Sequence, residues 1–203
     1  MGTTSERPAR PAGSPRRAVL DANVLVPNAL RDTLLRAAEA GLYEVRWSAT
    51  TLTELEHTLL ARILPARPER AARVQRLLAA LRAACPLATV VEDEAVVASL
   101  TNDPADRHVL AAAMQSGTRT IVTVNLRDFP VAALRPHRVV ARSPDRFLES
   151  LFARHTARVI ELLIAQGADL RQPRTLAAIL DTLAQHTPGF VRAVHAGLAD
   201  AER

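Results

Sequence analysis

No lysine occurs in this chain: all 26 basic side chains are arginine. Beside abundant alanine, proline and leucine, that absence marks the compositional bias of a GC-rich genome. The net charge of +5 therefore argues only weakly for a polyanionic partner, although guanidinium groups suit phosphate contacts. Cysteine is almost missing as well. The single Cys85 excludes an internal disulfide framework and a cysteine-based zinc site, and it is expected to pack as a small apolar residue. Aromatics make up only 3%, which speaks against a base-stacking surface for single strands. No apolar run approaches the roughly 18 residues needed to span a bilayer. Arg16 and Arg17 precede an apolar stretch, but Asp21 and Asn23 interrupt it at once, which argues against a secretion signal. The expectation is a soluble protein of the cytoplasm with no membrane association.

What remains is a globular composition: 48% hydrophobic and 23% charged residues, enough for a real core. The length of 203 residues suits one domain plus an extension, or two small domains. Residues 1–16, rich in Pro, Gly, Ser and Arg, are expected to be a disordered tail or a tag remnant. In residues 17–150 strand-like and helix-like segments alternate. A buried strand, Ala18 to Leu20, ends in a polar turn at Asp21-Ala22-Asn23. Helices are expected at 28–40 (closed by Gly41), 51–64 (capped by Ser48 or Thr50, broken by Pro65 and Pro68), 69–84, and from the NDPAD segment to Ser116, with a short helix or loop at 93–100. Strands are expected at 43–48, 87–91, 120–124 and 137–142. The alternation predicts a parallel α/β sheet covered on both faces. From Ser143 and Pro144 onward the pattern is wholly helical, with helices at 143–166, 173–186 and 188–201. The first of these is expected to end the sheet domain. Residues 151–203 are read as a helical C-terminal extension, the last two helices forming a small appendage.

Ligands of open α/β sheets bind beyond the carboxyl ends of the strands. Asp21 directly follows the first strand, Asp106 lies in the first turn of its helix, and Asp128 follows TIVTV by four residues. Glu54 lies near the start of the helix after EVRWS. Carboxylates brought together there would raise one another's pKa, and a divalent cation would relieve the repulsion. Oxygen donors without thiolates favour Mg²⁺ or Mn²⁺, and phosphodiester hydrolysis is the natural reaction class. Blander roles compete at each position. Asp103 with Pro104 reads as a helix cap, and Asp106 then falls where an acid favours the helix dipole, so it is read in both roles. Asp21, Asn125 and Asp128 also suit turns. Helical periodicity places Glu56, not Glu54, in the apolar arc of its helix. His57 and His108 read as solvated or packed helix residues, with no HExxH-type zinc pattern.

The segments AVLDANVLV, WSATTLTELEHTL, NDPADRHVLAAA and TIVTVNLRDFP, in this order over residues 18 to about 142, resemble the PIN-domain nucleases, in particular the branch with many VapC-type toxins. The resemblance implies a parallel α/β sheet carrying three or four acids that bind Mg²⁺ or Mn²⁺ and cut RNA, or DNA in some relatives. By motif position the metal-binding and catalytic acids would be Asp21, Glu54 and Asp106. At the usual fourth position stands Asn125, with Asp128 three residues later, so either could complete the metal shell. Asn23 and Thr123 would orient the first ligands. The resemblance also implies inhibition by a VapB antitoxin and a homodimer. The helical tail is similar to C-terminal extensions of longer VapC-type toxins. Two other functions fit the same residues: a degenerate PIN-like binding module, and a housekeeping RNA or DNA nuclease without an antitoxin.

Overall fold

The computed structural model describes residues 16–61 and 68–201, so the expected tail up to Pro15 and the end of the helix expected over 51–64 lie outside it. Five parallel strands form one sheet: β1 (Arg16–Leu20), β2 (Tyr43–Ser48), β3 (Thr89–Val90), β4 (Thr120–Val122) and β5 (Val140–Arg142), in the order β3-β2-β1-β4-β5. Arg16, assigned to the tail from sequence, is the first residue of β1 and pairs with Tyr43. The chain runs outward from β1 to β3 and then returns to place β4 on the other side of β1. The crevice between the carboxyl ends of β1 and β4 is therefore the point where strand order reverses, which is where such sheets bind ligands.

Residues along β1 alternate between two cores, as the period of two demands. Ala18 and Leu20 face a core shared with α2 (Asn28–Glu39), α3 (Ala49–Ala61) and α4 (Pro68–Ala84). Val19 faces the other side, with Ile121 and the apolar run Val109–Ala113 of α6 (Arg107–Gln115). Two helices stop where the sequence places glycine: Gly41 and Gly117 adopt left-handed φ of 74° and 66°. Their amides and the next ones bond back to the last turn (Leu42 to Ala37, Thr118 to Ala113), which satisfies carbonyls the helix leaves open. Short elements not expected from periodicity complete this part: α1 (Ala22–Leu25), 3-10 turns at Pro104–Asp106, Leu126–Asp128 and Arg135–His137, and α7 (Val131–Leu134). Residues 93–100 contain the helix α5 (Glu94–Ser99), capped by Asp93.

The C-terminal part differs from the expectation in two ways. The segment 143–166 is two helices, α8 (Pro144–Phe152) and α9 (Thr156–Ala168), followed by α10 (Leu176–Ala184) and α11 (Pro188–Ala201). These helices are also no appendage. Phe147, Leu151, Leu163, Leu180 and Phe190 belong to the same core as Ala18, Leu20 and Trp47. Polar ties reinforce the joint. Buried Thr33 on α2 donates to Gln166 Oε1 (2.7 Å), and Gln166 Nε2 donates to the Ala29 carbonyl (3.0 Å). Periodicity identified this part as helical but missed the break between α8 and α9, and it carries no information about which face of the sheet the helices cover.

Candidate active site

The carboxyl ends of β1 and β4 open on a cavity of about 560 Å³ lined by Asp21, Asn23, Glu54 and Asp106, with His57, Thr58, Asn125 and His186 among its other walls. Asp21 is 3% exposed and begins at the last hydrogen bond of the sheet, its amide donating to the Val122 carbonyl. Thr123, the first residue after β4, donates its hydroxyl to Asp21 Oδ2 at 2.7 Å and accepts from the Asn125 amide at 3.0 Å. Asn23 donates through Nδ2 to both Asp21 Oδ2 (2.6 Å) and Thr123 Oγ1 (3.0 Å), and its Oδ1 accepts from the Val124 amide. The Thr123 hydroxyl thus uses its single proton on the carboxylate and its lone pairs on two donors. This closed network crosses from β1 to β4 and fixes one face of Asp21. Burial pushes the Asp21 pKa above the usual carboxylate range, and the Glu54 charge adds to that, while the Thr123 bond opposes it.

Asp103 and Asp106 have separated roles. Asp103 caps the 3-10 turn, accepting from the Ala105 amide at 2.9 Å. Asp106, expected inside the first turn, occupies the N-cap position of α6 and makes no side-chain cap bond, so its share in the helix start is limited to the dipole. Its carboxylate lines the cavity instead. Burial, then the charges of Asp21, Asp128 and Asp103, raise its pKa to about 6.

Glu54 and Glu56 part company in the tertiary structure. Glu54 lines the cavity, and its Oε1 lies 3.1 Å from His108 Nε2. Glu56 accepts from Gln75 on α4, away from that wall. The apolar arc of α3 faces two partners, the sheet and α4, so periodicity alone misjudged which acid points to the cavity. Asn125 is among the lining residues and Asp128 is not; Asp128 lies near enough to raise the Asp106 pKa, and its backbone carbonyl accepts from the Asp103 amide.

Ser48, expected as a possible helix cap, does cap α3, and His108, read as a solvated or packed helix residue, is packed; their link to the site went unrecognised in the sequence. His108 is 7% exposed, with Nδ1 2.7 Å from Ser48 Oγ, the oxygen that also caps α3 by accepting from the Thr51 amide. Burial works against protonation of His108, but the Glu54 bond and the charges of Glu54, Glu92 and Asp21 outweigh it and raise the pKa. His57 and His186 also line the cavity. Local sequence carries no signal for any of these, because strand ends, helix faces and the α10–α11 turn meet only through the sheet topology.

Among the described residues, no three His, Cys, Asp or Glu side chains form a ready metal cage. The donors nonetheless suit a hard cation. Mg²⁺ binds through as few as one or two carboxylates and keeps several waters, and Asp21 and Asp106 both line the cavity with pKa values raised by burial first and then by neighbouring acids, Glu54 for Asp21 and Asp21 for Asp106. No described helix is long and apolar enough to cross a membrane.

The chain is similar to known proteins. The PIN domain model matches residues 17–127, and the VapC50 C-terminal domain model matches residues 144–196. A protein of Mycobacterium tuberculosis named "Putative ribonuclease VapC50" is 38% identical over 96 residues, covering 47% of this chain and 57% of that protein. The chain thus spans a little over half the length of this curated relative. In the solved "Structure of FitAB bound to IR36 DNA fragment", one chain superposes with a TM-score of 0.44 at 18% identity, over 63% of this chain and 94% of that chain. The PIN match covers more than half of the sequence, and a VapC50 C-terminal domain follows it: the chain belongs to the PIN-domain family.

Proposed function

We propose that this protein is a Mg²⁺- or Mn²⁺-dependent endoribonuclease, the VapC-type toxin of a toxin–antitoxin pair acting in the cytoplasm. The observation that carries the reading is the convergence of Asp21, Glu54 and Asp106 from three separate elements on one cavity at the switch point of the sheet. The match to a protein named as a ribonuclease supports RNA as the substrate. Asp21 and Asp106 would hold the cation, with Glu54 and, from farther out, Asp128 completing the acidic set. Bound there, the cation would supply Lewis-acid stabilisation of phosphoryl oxygens and lower the pKa of a coordinated water.

The protein's own residues prepare that chemistry. Thr123 and Asn23 fix Asp21 Oδ2, so the opposite face of the carboxylate is presented in one orientation. His108, anchored by Ser48, holds Glu54 at the cavity wall. Burial and the neighbouring charges of Asp21, Asp128 and Asp103 make the Asp106 carboxylate a group that positive charge in the cavity would stabilise. A VapB-type antitoxin and a homodimer are proposed as partners on the strength of the VapC relationship.

The test is Asp21→Asn. Cleavage of RNA and growth inhibition on expression should both disappear while the thermal unfolding midpoint stays within a few degrees of wild type. Full toxicity in that variant would remove the metal-centred mechanism. A degenerate binding module is the second reading, favoured by Asn125 in the cavity wall and by the lack of a ready three-ligand cage among the described residues. Calorimetry with Mn²⁺ separates the two, since a degenerate site would take up no metal.

A further inference from the structure

We propose that the C-terminal helices complete the RNA-binding wall of the acidic cavity through His186, whose imidazole contacts the RNA phosphate backbone. The inference rests on the nuclease reading and adds a role for the second half of the chain. The problem it answers is electrostatic. The cavity presents Asp21, Glu54 and Asp106 to a polyanion, and despite 26 arginines in the chain, none is among the described residues lining it. The side chains there that can donate to a phosphate are Asn23, Thr58, Asn125, His57 and His186. Asn23 is committed to Asp21 and Thr123. Of the rest, only the two imidazoles can carry positive charge.

His57 stands three residues beyond Glu54 on α3. His186 comes from the turn between α10 and α11, and among the described residues no hydrogen bond or ion pair engages its ring. The turn is rigidly held before any RNA arrives. The His186 and Thr187 amides both donate to the Leu183 carbonyl, and the Thr187 hydroxyl donates to it as well. The Asp145 carboxylate on α8 accepts from the Gly189 and Phe190 amides at 3.1 and 2.7 Å. Phe190 is fully buried and packs edge-on against Phe152. The backbone that carries the ring is thus held in place, and only the ring's own rotation has to be ordered on binding.

The test reads RNA binding separately from cleavage. Full-length protein carrying Asp106→Asn, which blocks turnover, is titrated into a short fluorescent single-stranded RNA and followed by anisotropy. Adding His186→Ala should weaken binding about 10-fold, the size expected for a lost hydrogen bond to a charged group. Adding His186→Gln, which keeps an N–H donor but carries no positive charge, should recover only part of that loss. His195→Ala, an exposed histidine on α11, should leave binding unchanged. Equal affinity with and without His186→Ala, or the same loss in His195→Ala, overturns the proposal. Wild-type protein that binds RNA with this His186 dependence but does not cleave it would refute the nuclease reading and leave the contact standing. No RNA binding by any form would refute both.

Discussion

Replacing Asp106 with asparagine should stabilise the protein at neutral pH while abolishing its activity. The pKa of Asp106 rises from 3.8 to about 6 on folding. A carboxyl whose folded pKa is raised is held more weakly as an anion in the native state than in the unfolded chain. Its penalty is absent below the unfolded pKa, grows as pH rises, and is complete above the folded value. The window is therefore about pH 4 to 6. A shift of about two units corresponds to about 3 kcal/mol. Asp106 is only partly buried, so solvent screening cuts this to about half. Asparagine forfeits no cap bond, since Asp106 makes none, but it loses a helix-dipole contribution of about 0.5 kcal/mol. The net gain at about pH 7.5 is then about 1 kcal/mol, or roughly 2 to 4 °C in Tm for a chain of this size. Thermal unfolding at a series of pH values is the assay. The variant should lie above wild type at neutral pH and level with it at about pH 4, where the folded-state carboxyl is protonated and carries no charge. Mn²⁺ should raise the Tm of wild type and much less that of the variant. A variant less stable than wild type at neutral pH would refute the claim that repulsion and burial, relieved by a cation, dominate this carboxylate.

Thr123→Val keeps the shape of a buried side chain but removes the donor to Asp21 and the acceptor for Asn23 and Asn125. Mn²⁺ affinity measured by calorimetry should fall roughly 10- to 100-fold, the usual cost of losing a group that orients a ligand. Glu54→Gln should reduce RNA cleavage by more than roughly 10-fold, whereas Glu56→Gln should change it by no more than about twofold, since among the described residues its side chain serves an exposed bond to Gln75. Cleavage rates of the two variants side by side decide between the motif and the periodicity. Gly167→Ala on α9 should cost about 1–3 kcal/mol in chemical denaturation, because an added Cβ would collide with the Arg174 carbonyl oxygen. That loss should appear in unfolding of the whole chain, since α9 shares the core of the sheet.

Local chemistry made much of this protein readable without coordinates. The buried strand Ala18–Leu20, the glycine stops at Gly41 and Gly117, the Asp103–Pro104 cap and the Ser143–Pro144 start all depend on interactions within a few residues. So does the alternation that implies a parallel sheet. The order of the acidic segments was enough to suggest a shared site. Other features needed the tertiary fold, because they depend on which surfaces meet. Periodicity names an apolar arc but not the body it packs on, so it favoured Glu56 on a helix that faces both the sheet and α4. His108 looked like an ordinary helix residue until β2 brought Ser48 beneath it and α3 brought Glu54 beside it. The C-terminal helices looked like an appendage because no pattern within them records that Phe147, Leu163 and Phe190 bury themselves against the same sheet face as Leu20. Their arrival at the cavity, and His186 with it, is decided by packing between distant segments.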